Sequence, residues 1–266
     1  MSASERARRF GDLHRDGLLI LPNAWDAGSA RIIESAGAIA IATSSAAVAW
    51  SHGYPDGEAL PEEALLATLR EIVRVVGVPV SADIEAGYAR DADAAGEFVA
   101  KILDAGAVGV NIEDGRDAPD LLCAKIERLR SVAERAGIEL WINARVDVYL
   151  RQLAEGDAAY AETVARARRY AQAGASSIFV PGAAEEALIG NLAREVRLPL
   201  NVLAWPGLPD ASKLRVLGVR RLSAGTGLGK VALGRIRELA EAFLREGRSA
   251  LFAEGPADIN ALMRRD

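Results

Sequence analysis

The chain has 266 residues, half of them hydrophobic, and a formal net charge of −5 in which acidic and basic residues are interspersed. This size suits one large α/β domain or two small ones, and no basic stripe indicates a nucleic-acid partner. Residues 1–16 contain no apolar signal core, no stretch is long enough to span a membrane, and the single cysteine, Cys123, excludes an internal disulfide, so we expect a cytoplasmic protein without a membrane partner.

Apolar runs of strand length recur along the whole chain and alternate with segments of helical periodicity. The runs are continuous rather than alternating, which is typical of parallel strands covered on both faces. The predicted strands are Leu18–Leu21, Ala38–Ala42, Val78–Ala82, Val108–Ile112, Leu140–Asn143, Ser177–Val180, Leu200–Leu203 and Arg220–Ser223. The predicted helices between them are Ala27–Ala36, Glu62–Val76, Ala92–Ala105, Leu121–Ala136, Asp157–Ala173, Glu185–Val196 and Ala211–Leu217.

Eight strands with intervening helices predict a (β/α)₈ TIM-type barrel, and a doubly wound open sheet is the alternative. No linker or change of composition separates the units, which favours the barrel. Several predicted helices end in Ala-Gly, as helix C-caps commonly do, directly before the next strand. We therefore expect a single α/β barrel domain over residues 1–266.

Two segments do not belong to the repeating units. The stretch Thr43–Pro61 is rich in Ser, Gly and Pro and is predicted to be a loop on the active face. After the last strand, helices are predicted over Leu228–Arg245 and Pro256–Met263. A closed barrel does not need them, so we expect 228–266 to pack on a neighbouring subunit.

The glycine-rich run 224–230 lacks the P-loop spacing and is interpreted as the turn that starts the first of these helices.

Acidic residues and an arginine follow successive predicted strands. Asp83 and Glu85 follow the third strand, Glu113 follows the fourth and Arg145 follows the fifth. In a barrel these positions meet at the functional end, where acids facing an arginine indicate a hard divalent cation and an anionic substrate. Structural alternatives stay open, because Asp83 could cap a helix and Glu113 could simply pair with Arg145.

Other polar residues have structural interpretations. Asp114 and Asp147 follow the strand-end residues and are predicted to be structural. Asp26 could cap the helix that begins at Ala27. Cys123 falls within a predicted helix and is interpreted as a small buried hydrophobe rather than a nucleophile.

Six short motifs lie in order between Leu18 and Leu228. They are NAWDAGSA from Asn23, TSS from Thr43, GYPD from Gly53, DIEAGY from Asp83, NIED from Asn111 and NAR from Asn143. Together they resemble the isocitrate lyase/phosphoenolpyruvate mutase superfamily. The resemblance implies an α/β barrel that binds Mg²⁺ (or Mn²⁺) and a small 2-oxo or 2-hydroxy carboxylic acid.

The resemblance also implies roles for individual residues. Asp83 matches the direct metal ligand, whereas Glu85 and Glu113 match acids that hold the metal through its waters. Asp56 matches a loop carboxylate near the metal, and Arg145 matches the arginine that binds the substrate's oxygens. Arg145, Asp56 and Glu113 are expected to be catalytic. The implied substrate-binding residues, in which the amides of 44–46 hold the substrate carboxylate, are Thr43, Ser44, Ser45, Ala46, Asp83, Arg145 and Asn201.

Departures from the superfamily pattern concern the loop after the fourth strand. In the lyases this loop carries a cysteine that supplies a proton, but Gly115–Leu122 contains neither cysteine nor histidine. The lysine and asparagine that phosphonate-processing members use there are also missing. Val180-Pro181-Gly182 stands where lyases carry a glutamate. The chain therefore resembles a branch with short loops.

These features favour a Mg²⁺-dependent lyase that acts on a small 2-oxo or 2-hydroxy acid through an enolate. Decarboxylation of an oxaloacetate-like acid needs the least machinery, and C–C cleavage by a retro-aldol route is next. The alternatives are a phosphonate-processing mutase or hydrolase, or a non-catalytic protein that binds a 2-oxo acid. We also expect a homo-oligomer, either a tetramer or a dimer, in which C-terminal helices are exchanged between subunits, as the resemblance implies.

Overall fold

Within residues 1–253 and 258–264, which are those that the structure describes, nine parallel strands form one sheet whose two end strands are consecutive in the chain. The structure is a computed structural model. The strands are β1 (Leu19–Leu21), β2 (Asn23–Ala24), β3 (Ile41–Thr43), β4 (Val80–Asp83), β5 (Gly109–Glu113), β6 (Trp141–Arg145), β7 (Ser177–Phe179), β8 (Leu200–Leu203) and β9 (Arg221–Ser223). The sheet order is β1-β9-β8-β7-β6-β5-β4-β3-β2.

The first two strands are halves of one barrel strand that is interrupted at Pro22. Proline has no N–H to donate to a neighbouring strand, so the ladder breaks there. β1 pairs with β9 and β2 pairs with β3, and this closes the sheet on itself. The Pro22 carbonyl still accepts a hydrogen bond of 3.1 Å from the amide of Ala42. The (β/α)₈ TIM-type barrel predicted from eight apolar runs is therefore confirmed.

Most of the helices connect the strands and cover the outside of the barrel, whereas α1 precedes the first strand and α10 and α11 follow the last one. They are α1 (Ala3–Asp12), α2 (Ala27–Ser35), α3 (Ser45–Ser51), α4 (Glu62–Val75), α5 (Ala92–Asp104), α6 (Pro119–Arg135), α7 (Gly156–Gln172), α8 (Glu186–Glu195), α9 (Ala211–Val216), α10 (Gly227–Glu246) and α11 (Ile259–Met263). In α4 the buried face carries Leu65, Leu69 and Ile72, and burial of each stabilises the fold by about 1.5–3 kcal/mol. After α5, Gly106 has φ 95°, a left-handed conformation that glycine adopts without a steric penalty.

The N-terminal helix α1 closes the bottom of the barrel, a feature that the sequence analysis did not predict. Phe10 is fully buried there, and a Cβ at Gly109 would lie only 2.6 Å from its ring, so this strand position requires glycine. The His14 ring stacks on Trp141 with 4.0 Å between ring centroids. Burial lowers the pKa of His14 to about 3, so this histidine is a neutral packing residue.

Two predicted segments differ from the structure. The predicted loop Thr43–Pro61 is partly helical, because it contains α3, whose N-cap Ser44 accepts a hydrogen bond from the amide of Ala47. Residues 46–49 of this helix are buried, so their apolar side chains hold it against the barrel. Of the predicted helix Pro256–Met263, the part at 259–263 forms α11, whereas residues 256 and 257 lie outside the described residues.

Helix α10 agrees closely with the predicted Leu228–Arg245, but it leaves its apolar side chains uncovered. Gly229 is its one buried residue, since it lies against Trp25 and Ala47. Val231 is 74% exposed and Ile236 is 61% exposed. None of the helices in the described part of the chain combines the length and hydropathy that a membrane span requires.

Candidate active site

A cavity of about 180 Å³ opens at the carboxyl ends of the strands, where barrel enzymes carry their active sites. Most of the residues predicted to form the site line it. These are Ser44, Ser45, Ala46, Asp56, Asp83 and Arg145. They come from segments that are far apart in the sequence, so closure of the barrel brings them together.

Asp83 ends β4 inside the barrel, where its carboxylate has one bonded and one free oxygen. Oδ2 accepts hydrogen bonds from the amide of Ser45 at 3.2 Å and from its hydroxyl at 3.1 Å. The amide of Asp83 donates to the Thr43 hydroxyl at 2.8 Å, which fixes the end of the strand. Oδ1 is buried without a partner. Burial raises the pKa of Asp83, because it disfavours the charged carboxylate. A cation or a hydrogen-bond donor at Oδ1 would stabilise that charge.

Glu85 lies two residues beyond Asp83 on a tight loop, with φ +50°. Its Oε2 accepts a hydrogen bond of 2.7 Å from the amide of Glu58. Burial, together with repulsion from Asp56 and Asp83, raises the pKa of Glu85 to about 7. The acids of this region are thus close enough to repel one another.

Arg145, at the end of β6, is held by acids on two sides. Nε and Nη2 donate to the two carboxylate oxygens of Asp147 at 2.6 and 3.0 Å, and Nη1 forms an ion pair with Glu113. Burial opposes the charge of Arg145, but Glu113 and Asp147 outweigh it and raise the pKa of the guanidinium. For Glu113, burial disfavours the charged carboxylate and therefore raises its pKa. The structural pairing of Glu113 with Arg145, left open by the sequence, is present.

Asp114 and Asp147 form a supporting layer, as predicted. Asp114 accepts hydrogen bonds from Tyr170 Oη at 2.6 Å, from Arg166 Nη1 at 2.9 Å and from the amide of Asp147 at 3.0 Å. These bonds fasten the end of β5 to α7 and to the segment after β6. Asp147 is in turn completely buried and orients Arg145. Both aspartates therefore act on the site through Arg145.

The amides of residues 44–46 are only partly available to a substrate carboxylate. The amide of Ser44 donates to the carbonyl of Ala24 at 3.2 Å, and that of Ser45 donates to Asp83. The amide of Ala46 lies in the first turn of α3, where helix N–H groups have no intrahelical partner. The Ser45 hydroxyl also donates to Asp83, so the Ala46 amide is the group of this segment most able to meet a substrate.

The predicted site residues that do not line the cavity are Thr43, Glu85, Glu113 and Asn201. Thr43 is a brace for Asp83, and Asn201 is fully buried, where its Nδ2 donates to Ser223 Oγ at 3.1 Å. Asn23 does line the cavity, and its side chain bonds the carbonyl of Thr43 and the amide of Gly225. Asp26 is the N-cap of α2, in agreement with its structural interpretation.

The wall that lies among the later strands is apolar, and the sequence analysis did not assign it to the site. It is formed by Leu150, Phe179, Pro181, Leu203 and Trp205. Four of these five residues lie at the ends of β7 and β8 or two residues beyond them, but apolar residues there carry no chemical motif. The cavity thus has one side that carries carboxylates and another side that is apolar.

The residues present fit a divalent cation bound through one carboxylate. Among the described residues, no group of three or more His, Cys, Asp or Glu side chains is arranged to ligate a metal directly. Glu113 is turned to Arg145 and Glu85 to the loop at Glu58, which leaves Asp83 Oδ1 as the free carboxylate oxygen of the three acids. Mg²⁺ keeps several waters and is often held by one or two carboxylates, so Asp83 would be its protein ligand, whereas neither Glu85 nor Glu113 lines the cavity.

A parallel barrel with such a cavity at its functional end defines an α/β-barrel enzyme. The chain belongs to the phosphoenolpyruvate phosphomutase family, whose model matches residues 10–244. It is thus a member of the phosphoenolpyruvate mutase/isocitrate lyase superfamily of lyases and mutases, as its motifs indicated.

Three similar proteins illustrate its place in the superfamily. An uncharacterised protein from Mycobacterium tuberculosis (strain ATCC 25618 / H37Rv) is 40% identical over 223 residues, which are 82% of this chain and 81% of that protein. Oxaloacetate decarboxylase from Pseudomonas fluorescens (strain SBW25) is 32% identical over 189 residues, which are 64% of this chain and 62% of that enzyme. The crystal structure of a proposed phosphonomutase from Burkholderia cenocepacia J2315 has 37% identity and a TM-score of 0.85, with 93% of this chain and all of that chain (100%) covered.

Replacing Cys123 by serine should leave activity within about twofold of the wild type. Cys123 lies in α6, is not a cavity residue, and has its pKa raised by burial, so it is a poor nucleophile. N-ethylmaleimide should inactivate the wild type slowly and without protection by substrate. Rapid stoichiometric inactivation that substrate prevents would instead show that this thiol supplies a proton.

Proposed function

We propose that this protein is a Mg²⁺- (or Mn²⁺-) dependent carbon–carbon lyase that acts on a small 2-oxo or 2-hydroxy carboxylic acid through an enolate. Decarboxylation of an oxaloacetate-like acid is the leading reaction. The observation that carries the proposal is the buried, unpartnered oxygen of Asp83, a residue that lines a cavity of about 180 Å³ together with Arg145. A cavity of this size suits a small acid.

Cleavage of a bond next to a carbonyl sends an electron pair toward the carbonyl oxygen and forms an enolate. A divalent cation at Asp83 would supply positive charge for that oxygen and for the adjacent carboxylate. Arg145 provides a second positive contact, and its two hydrogen bonds to Asp147 keep it oriented before substrate arrives. Asp56 lines the same cavity from the loop before α4.

The apolar wall favours decarboxylation over the other cleavages. A carboxylate placed against Phe179 and Leu203 loses its hydration, whereas the departing CO₂ is neutral, so this contact assists bond breaking. The bond between C3 and C4 breaks, its electrons enter the enolate, and water then protonates C3. The similarity to an oxaloacetate decarboxylase supports the same choice.

Phosphonate processing is the second candidate, because the similar structure from Burkholderia cenocepacia is a proposed phosphonomutase. A phosphonate would need cationic partners. Among the described residues Arg145 is the one lysine or arginine that lines the cavity, and residues 114–118 contain no lysine or asparagine. A non-catalytic 2-oxo acid binder is less well supported, since burial of Asp83, Glu85 and Glu113 is costly without a use.

A panel of 2-oxo and 2-hydroxy acids assayed with Mg²⁺ or Mn²⁺ tests the proposal. Release of pyruvate or glyoxylate identifies the reaction, and oxaloacetate is expected to give pyruvate at a rate above its metal-catalysed background. Turnover of phosphonopyruvate alone would favour the second candidate. Binding of oxalate or pyruvate without turnover of any acid would favour the non-catalytic alternative.

We further propose that the chain forms a homo-oligomer in which residues 228–266 pack on a neighbouring subunit. Between α2 and α10 lies a groove of about 860 Å³ lined by Trp25, Ile32, Leu228, Val231 and Ile236. Such a groove fits an amphipathic helix, and exposed apolar surface of this extent is typical of an interface.

The double substitution Val231→Asp, Ile236→Asp should dissociate the oligomer, because it places charges on the apolar face of α10. Sedimentation velocity should show a smaller species than the wild type. Val216→Asp is the matched control, since Val216 is 82% exposed on a different helix, α9. A full-length wild type that sediments as a compact monomer would exclude the assembly but leave the proposed reaction standing.

A further inference from the structure

Two loops beside the cavity are joined by reciprocal hydrogen bonds through Glu58, a residue that the proposed mechanism does not use. The amide of Glu58 donates to Glu85 Oε2 at 2.7 Å. The carboxylate of Glu58 accepts from the amide of Tyr88 at 2.7 Å. The loop at 52–61, which carries Asp56, is therefore fastened to the loop after β4, which carries Glu85.

Backbone strain is concentrated at this junction. Among the described residues, four non-glycine residues have positive φ, and three of them are Glu58 (56°), Glu85 (50°) and Tyr88 (53°). Such conformations persist where the surroundings over-determine them, and they cluster at functional sites. The two reciprocal hydrogen bonds join these three residues directly.

The loop after β4 is held firmly from its other side by Lys125 of α6. Nζ of this buried lysine donates to the carbonyls of Ala86 and Ala89 at 2.7 and 2.8 Å. The Tyr88 ring packs against Phe98 with 5.1 Å between centroids. The loop after β4 is thus held by several contacts, whereas residues 51–59 are exposed to solvent. Glu58 connects this exposed segment to the loop after β4.

We propose that Glu58 is a positioning residue that fastens the loop at 52–61 over the cavity and so holds Asp56 at the site. The proposal rests on the proposed function for the role of Asp56, but the fastening itself is a property of the chain alone. Without these hydrogen bonds, the loop lies in its binding position in a smaller fraction of molecules. The apparent affinity for substrate then falls in proportion to that fraction.

Three variants test it. Glu58→Ala removes the acceptor for the Tyr88 amide, and KM for oxaloacetate with Mg²⁺ should rise about tenfold with little change in kcat, as expected for a competent fraction near one tenth. Glu58→Gln keeps an acceptor and should restore KM to within about threefold. Glu63→Ala is the matched control, because it removes an exposed glutamate from nearby α4. All three should keep the wild-type melting temperature, because Glu58 and Glu63 are both exposed.

Two further measurements separate this proposal from the proposed function. Hydrogen exchange needs no substrate, and the amides of Glu58 and Tyr88 should exchange at least about tenfold faster in Glu58→Ala than in the wild type or Glu63→Ala. If Glu58 acts through Asp56, Glu58→Ala should add no further effect in an Asp56→Ala background. Unchanged exchange in Glu58→Ala would overturn the proposal, whatever the substrate proves to be. Fully additive kinetic effects of the two substitutions would also overturn it.

Discussion

Replacing Asp83 by asparagine should reduce turnover by on the order of 10²–10³-fold or more, because it removes the charge of a cavity-lining carboxylate that has a buried, unpartnered oxygen. Asparagine has the size of aspartate and can still accept a hydrogen bond from Ser45. The loss should therefore reflect the missing charge rather than a changed shape. Steady-state kinetics with Mg²⁺ and Mn²⁺ measure it.

The same substitution should separate metal binding from folding. Burial raises the pKa of Asp83, so the native charge opposes folding, and the metal-free variant should unfold with a free energy no lower than that of the wild type. The rise in melting temperature that Mg²⁺ or Mn²⁺ gives the wild type should disappear. Asp91→Asn is the control, because Asp91 caps α5 at the end of the same loop and asparagine is an equally good cap. An Asp83→Asn variant with normal turnover would show that the metal assignment is wrong.

The barrel could be predicted from sequence because its strands are buried on both faces. Such strands read as continuous apolar runs, and a glycine after several of the helices marks where the next run begins. Helix α1 was missed because its many charges conceal a narrow apolar face, of which Phe10 is the centre. Helix α3 was missed because serines and small residues read as a loop until Ser44 is seen to cap it.

The site was predictable in part. The strand-end positions of Asp83 and Arg145 identify the cavity, because barrel topology alone brings strand ends together. What each acid bonds could not be derived, since Glu113 had two possible partners and its choice depends on side-chain geometry. The role of Glu58 could not be predicted for a similar reason. It depends on a left-handed backbone conformation and on contacts between two loops that are separate in sequence. The apolar wall gave no chemical signal.

Replacing Arg145 by lysine should lower kcat/KM by about ten- to a hundredfold, although the charge is kept. The guanidinium uses Nε and Nη2 to hold Asp147 and Nη1 to hold Glu113, and a single ammonium cannot keep both contacts while facing a substrate. Loss of one charge-assisted hydrogen bond in the transition state costs about 1.5–3 kcal/mol, which corresponds to that range of rates. Kinetics on oxaloacetate with Mg²⁺ measure it.

Arg151→Lys is the matched control for this prediction. Arg151 contacts the same two acids, at 3.4 Å to Asp147 and 3.8 Å to Glu113, but its side chain is 45% exposed and it does not line the cavity. Exposed ion pairs contribute about 0–1 kcal/mol, so this change should alter kcat/KM by less than about fivefold. Equal losses in the two variants would mean that the arginines act by holding Asp147 and Glu113 in place. A loss confined to Arg145→Lys would identify Arg145 as the residue that meets the substrate, because only its guanidinium reaches the cavity.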